Sequence, residues 1–547
     1  MDDDSRDHLL RISVRHQQPI INLLLDIQQK KEQRTEASSK FLDELECFYI
    51  GIGKSGKTKL FREWIRVSRE PNYLALSYTW SPSKDEESTK GGYLVQNRNR
   101  SRFYSSGVRD CVLGRITKYM KHKDVQLLWV NRHNIPQQNC KDPQCECGPC
   151  KKKAAALRSM DWVYKKSNHP VALLGRPITT KKFASDPQSM WFTGWKKMIL
   201  LIPHPQPLED HKLRCKLFGD VPGELCIQSI WAGRYKELLD KSEPMDPAII
   251  ADTERRGVKE PWDRLSIVAN CCDYPVRLAE QQLRHNGCSL SLSMLAMCLL
   301  NGLILHNGAS SDKAAFEMTI PKFLEARCFN KFLSPPGQPS LTFNKGCRFI
   351  NVELSKAGIG TQGHLWSLGP VIDTGTIDNE PPWVENPRDD LTLLAQQRLT
   401  QLSCRLRSLS HKRLAEWIEA YLRRDTVGDD PYQFVGDYML MMADTVASAI
   451  KEKKPLRLGR LRDAKGARGE NVPYTAIFET GTDGYYINDT DRYVSLHVRS
   501  DEDQANGSVT YLYTKRWLPG LCFFKGYPRK EVIFPWPQAL MDIKPDL

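Results

Sequence analysis

Apolar and polar positions in the first third of the chain predict two strands and a helix. In residues 73–80 (YLALSYTW), Leu74, Leu76 and Tyr78 alternate with Ala75 and Ser77, the period of two that marks a strand. Small residues on the second face let another element pack close. Ser81-Pro82-Ser83 ends the strand. Residues 127–130 form a continuous apolar run, Leu127-Leu128-Trp129-Val130, as a strand covered on both faces should. The run turns polar at Asn131-Arg132-His133-Asn134, and open α/β sheets place ligand groups at the carboxyl ends of such strands. Leu157, Met160 and Tyr164 set one face of a helix over residues 154–167. Residues 170–175 (PVALLG) then read as a short strand ended by glycine.

The same patterning divides the rest of the chain. Residues 5–35 read as helix, with Pro19 as a kink or break. Residues 81–107 are a polar excursion, followed by an amphipathic helix over 108–119 that uses Val112, Ile116 and Tyr119. Residues 262–305 are helical and apolar, and residues 388–424 sustain the longest helical period, which favours a helical bundle in the middle of the chain. The apolar part of 290–305 is shorter than the ~20 residues a membrane span needs, so it predicts a buried helix and no span. Over 472–535, aromatic and β-branched residues alternate between Gly-Thr-Asp-Gly and Asn-Gly-Ser turns, as in an antiparallel β module. The expected organisation is a helical segment over 1–45 and an α/β domain over 46–180, with its core motifs in 73–175. A mostly helical region over 181–445, a basic linker over 446–471 and a β-rich module over 472–547 follow.

Composition adds bounds. The 547 residues carry 40% hydrophobic and 26% charged side chains and a net charge of +14, an ordinary globular balance with a basic excess. The basic stretch over 451–468 is either a solvated linker or a nuclear-localisation patch; nucleic acid is not the expected partner. The opening Met-Asp-Asp-Asp-Ser is acidic where a secretory leader is basic, so the 16 cysteines are expected as thiols in an intracellular compartment. Neither G-x-S-x-G nor H-E-x-x-H occurs, which removes the usual serine-hydrolase and zinc-peptidase signatures.

Two stretches suggest ligands. Residues 51–58 satisfy G-x-x-x-x-G-K-[ST], with Gly51, Gly56, Lys57 and Thr58 in the diagnostic places. A strand-like 47–50 precedes them and a helix-like 60–67 follows, the context in which backbone amides cradle phosphates. The acidic strand end that would complete a Mg²⁺ site is missing, so a nucleotide site competes with a plain loop. Cys140, Cys145, Cys147 and Cys150 could supply four thiolates to Zn²⁺. All four lie within eleven residues, closer than the usual pair of separated knuckles, so a loop of reduced thiols is the alternative.

The order LALSYTW, then LLWV followed by IPQ, then ALRSMDWVYKKSNHPVALLG resembles the heterokaryon-incompatibility (HET) domain of filamentous fungi. That family reads Tyr-x-Ala-Leu-Ser-Tyr-x-Trp, then Leu-Trp-Ile-Asp-x-x-Cys-Ile-x-Gln, then a helix with Met and Tyr before a strand. Tyr73, Ser77, Tyr78, Trp80, Trp129, Gln137, Met160 and Tyr164 fall on the pattern. The resemblance covers roughly residues 70–180, about a fifth of the chain. Asn131 stands where the family has Asp, His133 where it often has Cys, and Lys151-Lys152-Lys153 where relatives often carry an acidic residue.

The resemblance implies a TIR- or flavodoxin-like α/β domain. It also implies a role in cell-death signalling after non-self recognition, through protein partners or self-assembly. Because some TIR-like domains cleave NAD with a helical Glu, it further raises NAD as a substrate. A carboxylate would then be needed near the polar end of 127–130; the candidates are Glu146 and Asp161. Asn131 and Arg132 are the polar groups best placed for a site. Three functions therefore compete: an effector without chemistry, an NAD-cleaving enzyme and a P-loop nucleotide binder.

Overall fold

The computed structural model describes residues 4–33, 40–53, 57–69, 71–78, 80, 82, 87–136, 145, 147–173, 199–201, 229–231, 250, 260–272, 274–307, 313–327, 349–377, 391–423, 434–462, 472–480, 495–502, 510–524, 527, 529–537 and 540. Helices α1 (Leu9–His16) and α2 (Ile20–Gln28) open the chain. Gln17 in the left-handed region ends α1, and Pro19 stands before α2. The expected helix over 5–35 is thus broken where proline cannot continue it. Strand β1 (Lys31–Gln33) leads into β2 (Leu45–Ile52), β3 (Thr58–Ile65), β4 (Tyr73–Tyr78), β5 (Tyr93–Gln96) and β6 (Phe103–Ser105). Helix α3 (Asp110–Lys123), β7 (Leu127–Val130), α4 (Gly148–Lys166) and β8 (His169–Leu173) follow, then β9 (Ile199–Leu201) and β10 (Ser229–Trp231).

Strands β2 to β10 form one sheet in the order β10-β9-β8-β4-β7-β2-β3-β5-β6. Its centre, β9-β8-β4-β7, is parallel. Counted along the chain, those four strands lie in the order second, first, third, fourth, so the direction of winding reverses between β4 and β8. Alternation then sorts the side chains. Leu74, Leu76, Leu128, Val130, Val171 and Leu173 pack with Val112, Leu113, Ile116 and Tyr119 of α3. Tyr73, Ala75 and Trp129 pack on the other face with Ala156, Val163 and Tyr164 of α4. Ala75 lies in register beside Trp129, so the small residue of one strand accommodates the large one of its neighbour. The Trp129 ring meets Tyr164 edge-on at 5.5 Å, a favoured aromatic geometry.

Residues 60–67, expected as the helix after a P-loop, instead belong largely to β3, which pairs antiparallel with β2 from Leu45↔Ile65 to Ile52↔Thr58. Apolar residues at 60, 61, 64, 65 and 67 fit a helical face, but pairing along the whole of β2 overrides that local preference. Gly53 N–H donates to the Lys57 carbonyl at 2.9 Å, closing a hairpin where the motif would need a helix amino terminus. Ile52 at its tip is 81% exposed. Gly51 and Thr58 therefore sit on paired strands and Lys57 on the hairpin loop, while Gly56 lies outside the described residues. The P-loop reading is corrected accordingly. The polar excursion over 81–107 is not wholly a loop either, since β5 and β6 extend the sheet edge.

The second half builds separate cores. Helices α5 (Asp263–Cys271), α6 (Glu280–His285), α7 (Leu290–Leu300) and α8 (Ile320–Arg327) follow strand β11 (Val276–Leu278) or flank it; β11 pairs with β1. Every residue of α7 is buried; α2 packs against it, and Leu9 and Ile12 of α1 join Ile20, Leu24 and Ile27 of α2 in the same core. Asp4 accepts the Ser291 backbone N–H at 2.9 Å, so the first residues cap this central helix. No helix among the described residues is long and apolar enough to cross a membrane.

The long helix expected over 388–424 is two, α9 (Leu393–Ser408) and α10 (Lys412–Leu422). Ser410 adopts a positive φ of 66° and His411 N–H bonds the Leu406 carbonyl, a turn that lets both apolar faces share one core. Helix α11 (Phe434–Lys451) completes it.

Strands β12 (Ile350–Leu354), β13 (Ile359–Gly363), β14 (Trp366–Ile372), β15 (Leu456–Leu461) and β16 (Tyr474–Glu479) precede β17 (Ser495–Glu502), β18 (Thr510–Leu518), β19 (Gly520–Cys522) and β20 (Lys530–Phe534). They make two sheets, β12-β13-β20-β18-β17 and β14-β15-β16-β19. The pairings are antiparallel except β18 with β20. The β-rich end thus recruits strands from the region expected to be helical, and the basic linker over 446–471 contains β15, with Leu456, Leu458 and Leu461 buried.

Trp129 is fully buried, whereas Trp80 is 45% exposed. Trp129→Ala should lower unfolding stability by about 3–5 kcal/mol, and Trp80→Ala by roughly 0.5 kcal/mol or less. Denaturant titration of both variants measures this; equal losses would contradict the assignment of Trp129 to the core.

Candidate functional site

The carboxyl ends of β4 and β7 bring the candidate residues together. Beyond Tyr78 the chain reaches Trp80, and beyond Val130 a single helical turn, Asn131–Asn134, carries Arg132 and His133. The Arg132 guanidinium lies over the Trp80 ring at 5.1 Å, a cation–π contact. A third segment enters before α3: Ser106, Val108 and Arg109 are buried. Arg109 Nη1 donates to the Trp80 carbonyl at 2.8 Å, and its guanidinium lies 6.0 Å from the Tyr78 ring. A Cβ at Gly107 between them would lie 2.7 Å from Arg132 Nε, so a larger residue there would displace the Arg132 guanidinium.

The field at this crest is positive. Burial pushes the Tyr78 hydroxyl up to about 12, while Arg132 and Arg109 pull against that rise. Arg62 is buried, pairs with Glu46, and donates to the Gln96 carbonyl at 2.8 Å and the His133 carbonyl at 3.2 Å. Arg98 donates to the Asn134 carbonyl at 3.3 Å, and burial lowers its pKa. Arg98, Arg109 and Arg132 thus bring three guanidiniums to the segments that form the crest, an arrangement suited to an anionic ligand. Sequence patterning did not single out Arg109, Arg62 or Glu46. Arg109 stands just past a polar excursion, and the Arg62–Glu46 pair exists only through the β2–β3 hairpin.

Ser106 Oγ and His133 Nε2 lie 2.9 Å apart, within nucleophile–base reach. The pair is structural. Both residues are buried, and Ser106 Oγ also accepts the Val108 N–H at 3.1 Å, so both side chains tie buried loop segments together. Burial, then Arg62 and Arg132, lowers the His133 pKa to about 4.

The remaining motif residues divide. Tyr73 is a core residue whose hydroxyl donates to the Val163 carbonyl at 2.5 Å, and Ser167 Oγ donates to the Tyr73 carbonyl. Tyr164 donates to the Leu76 carbonyl at 3.1 Å, and a bond with Ser77 also bears on its hydroxyl. Met160 packs at the margin of the α4 core. Asn131 opens the helical turn at the crest. Tyr73, at the amino end of β4, bonds Val163 near the carboxyl end of α4. Asp161, on α4 one turn before Tyr164, is 3% exposed. Gln137, Cys140 and Glu146 lie outside the described residues. Cys145, Cys147 and Cys150 cluster, with their sulfurs within 4.8 Å of one another.

Comparison of the chain with protein-family models, with curated proteins and with solved structures returned no match.

The folded His133 pKa lies below the ~6.5 of an unfolded histidine. As pH falls below 6.5 the unfolded chain takes up a proton that the native site refuses until about pH 4. His133 therefore contributes stability above pH 6.5 that is lost on acidification through that window. Denaturant titrations at pH 7 and pH 5 should show a shallower loss for His133→Asn than for wild type; equal slopes would refute it.

Proposed function

We propose that the chain is an incompatibility effector of the HET type from a filamentous fungus. In this reading it acts inside the cell in cell-death signalling after non-self recognition, through protein partners or self-assembly. The crest at the carboxyl ends of β4 and β7 is its working surface. One observation carries the reading. The two motif stretches are neighbouring central parallel strands, and their polar continuations meet as the Trp80–Arg132 stack. The parallel order second-first-third-fourth is that of flavodoxin-like sheets, whose reversal of winding, here between β4 and β8, lies beside the crest on the other side of β4. This supports the TIR- or flavodoxin-like expectation.

The test is inducible expression in a filamentous fungus. The wild-type chain should arrest growth, and Arg132→Ala and Trp80→Ala should relieve the arrest at equal protein level. Lys121→Ala, on α3 away from the crest, should not. Growth unaffected by the wild-type chain, or arrest undiminished in both crest variants, overturns the reading.

A second reading, binding and cleavage of NAD, is favoured by a specific feature of the crest: guanidiniums beside an exposed indole suit a pyrophosphate and an aromatic ring. Chemistry on the glycosidic bond would call for a carboxylate, and Glu46 is held by Arg62. Incubation with NAD should therefore show binding that weakens about tenfold or more in Arg132→Ala, the loss of one charge-assisted contact. Release of nicotinamide would move the protein to the enzyme class.

A further inference from the structure

We propose that Cys145, Cys147 and Cys150 form a zinc-binding site at the amino terminus of α4, independent of the ligand bound at the crest. Their sulfurs all lie within 4.8 Å of one another. A tetrahedral Zn–S length of ~2.3 Å puts sulfurs ~3.8 Å apart, so closure around a metal needs a contraction of about 1 Å at most. Cys147-Gly148-Pro149-Cys150 has the two-residue spacing of a zinc knuckle, and Cys145 adds a third donor from the preceding chain.

Cys147 is the N-cap of a 19-residue helix and Cys150 lies in its first turn, so one helix end sets the spacing of two of the three sulfurs. Lys151, Lys152 and Lys153 follow directly. Lys152 lies over the Trp64 ring at 5.7 Å and Lys153 bridges to Asp263 at 3.4 Å, so this turn is fixed against both β3 and α5. An all-thiolate donor set selects zinc over oxygen-seeking cations. Each thiol releases one proton to solvent as its sulfur bonds the metal, with no change of oxidation state.

Residues 138–146 (QNCKDPQCE) carry no aliphatic or aromatic side chain besides Pro143 and the cysteines, a composition in which bound metal can supply the energy that apolar burial supplies elsewhere. It would also fix the start of α4 relative to β7, whose polar end carries Arg132.

The test uses the full chain, reduced with a phosphine, stripped with a chelator and divided. One half receives one equivalent of Zn²⁺. Both are pulsed with N-ethylmaleimide and mapped by mass spectrometry. Zinc should slow alkylation of Cys145, Cys147 and Cys150 by roughly tenfold or more, because a coordinated thiolate is no longer the nucleophile. The exposed Cys404 should react equally in both. Mapping reads Cys140 in the same experiment, and the three named thiols are the expected protected set whether or not it joins them. Co²⁺ in place of Zn²⁺ should give a thiolate charge-transfer band that disappears in Cys147→Ser with Cys150→Ser.

Equal alkylation of the three thiols with and without zinc overturns the proposal. So does a Cys147–Cys150 disulfide that re-forms at a glutathione poise without any zinc protection, which would assign the pair to thiol–disulfide exchange.

Discussion

The pairing of β4 with β7, buried on both faces, is the constraint on which the α/β domain depends. Tyr73–Leu76 and Leu127–Val130 run side by side, so neither strand can shift by one residue without turning its whole apolar set to the wrong face. Trp129 makes that register costly to change. It sits beside Ala75 on the α4 side, and any larger neighbour would collide with it. Tyr73, Tyr164 and Ser167 then hydrogen-bond backbone groups across the α4 interface, which fixes the helix along the strands as well as above them.

The crest follows from that register. Apolar strands that are covered on both sides can be polar only at their ends, so Tyr78, Trp80, Asn131 and Arg132 collect at one edge. Backbone carbonyls and a ring help to hold their cations. Arg109 reaches the Trp80 carbonyl, Arg98 the Asn134 carbonyl, and Arg132 the Trp80 ring. Such contacts fix where the guanidiniums lie. The Arg62–Glu46 pair, with side-chain exposures of 2% and 12%, is the contrasting case and supports the turn that carries His133.

The second half of the molecule depends on a different closure. Helix α7 has no polar face, so it must be surrounded. The chain does this with its own beginning and end: α1 and α2 lie on one side, and Phe534 and Trp536 belong to the same core. Gln28 ties the arrangement by exchanging hydrogen bonds with the backbone of Leu354 at 2.9 and 2.6 Å. Helix α4 connects the two halves, since Asn270 of α5 donates to the Leu157 carbonyl at 2.6 Å.

What the sequence determined by itself was set by local periodicity and punctuation. The alternation in 73–78, the run at 127–130, the faces of α3 and α4, the break at Pro19 and the mostly apolar α7 were all legible, because burial demands those patterns whatever the partners. The polar ends that carry Arg132 were legible for the same reason. Tertiary structure alone decided the rest. Residues 60–67 carry a helical pattern yet became β3 because β2 offered a full ladder of hydrogen bonds. Residues 388–424 carry one helical period yet fold back at Ser410 so that both faces share a core. Residues 456–461 look like a basic linker, but their leucines alternate into the sheet while Arg460 lies over the Tyr474 ring at 4.5 Å. Arg109, the most deeply buried cation of the crest, gave no sequence signal, because what fixes it is the Trp80 carbonyl 29 residues away. Periodicity reports which face of an element is buried; contacts distant in sequence decide what that face, and the polar end beside it, meets.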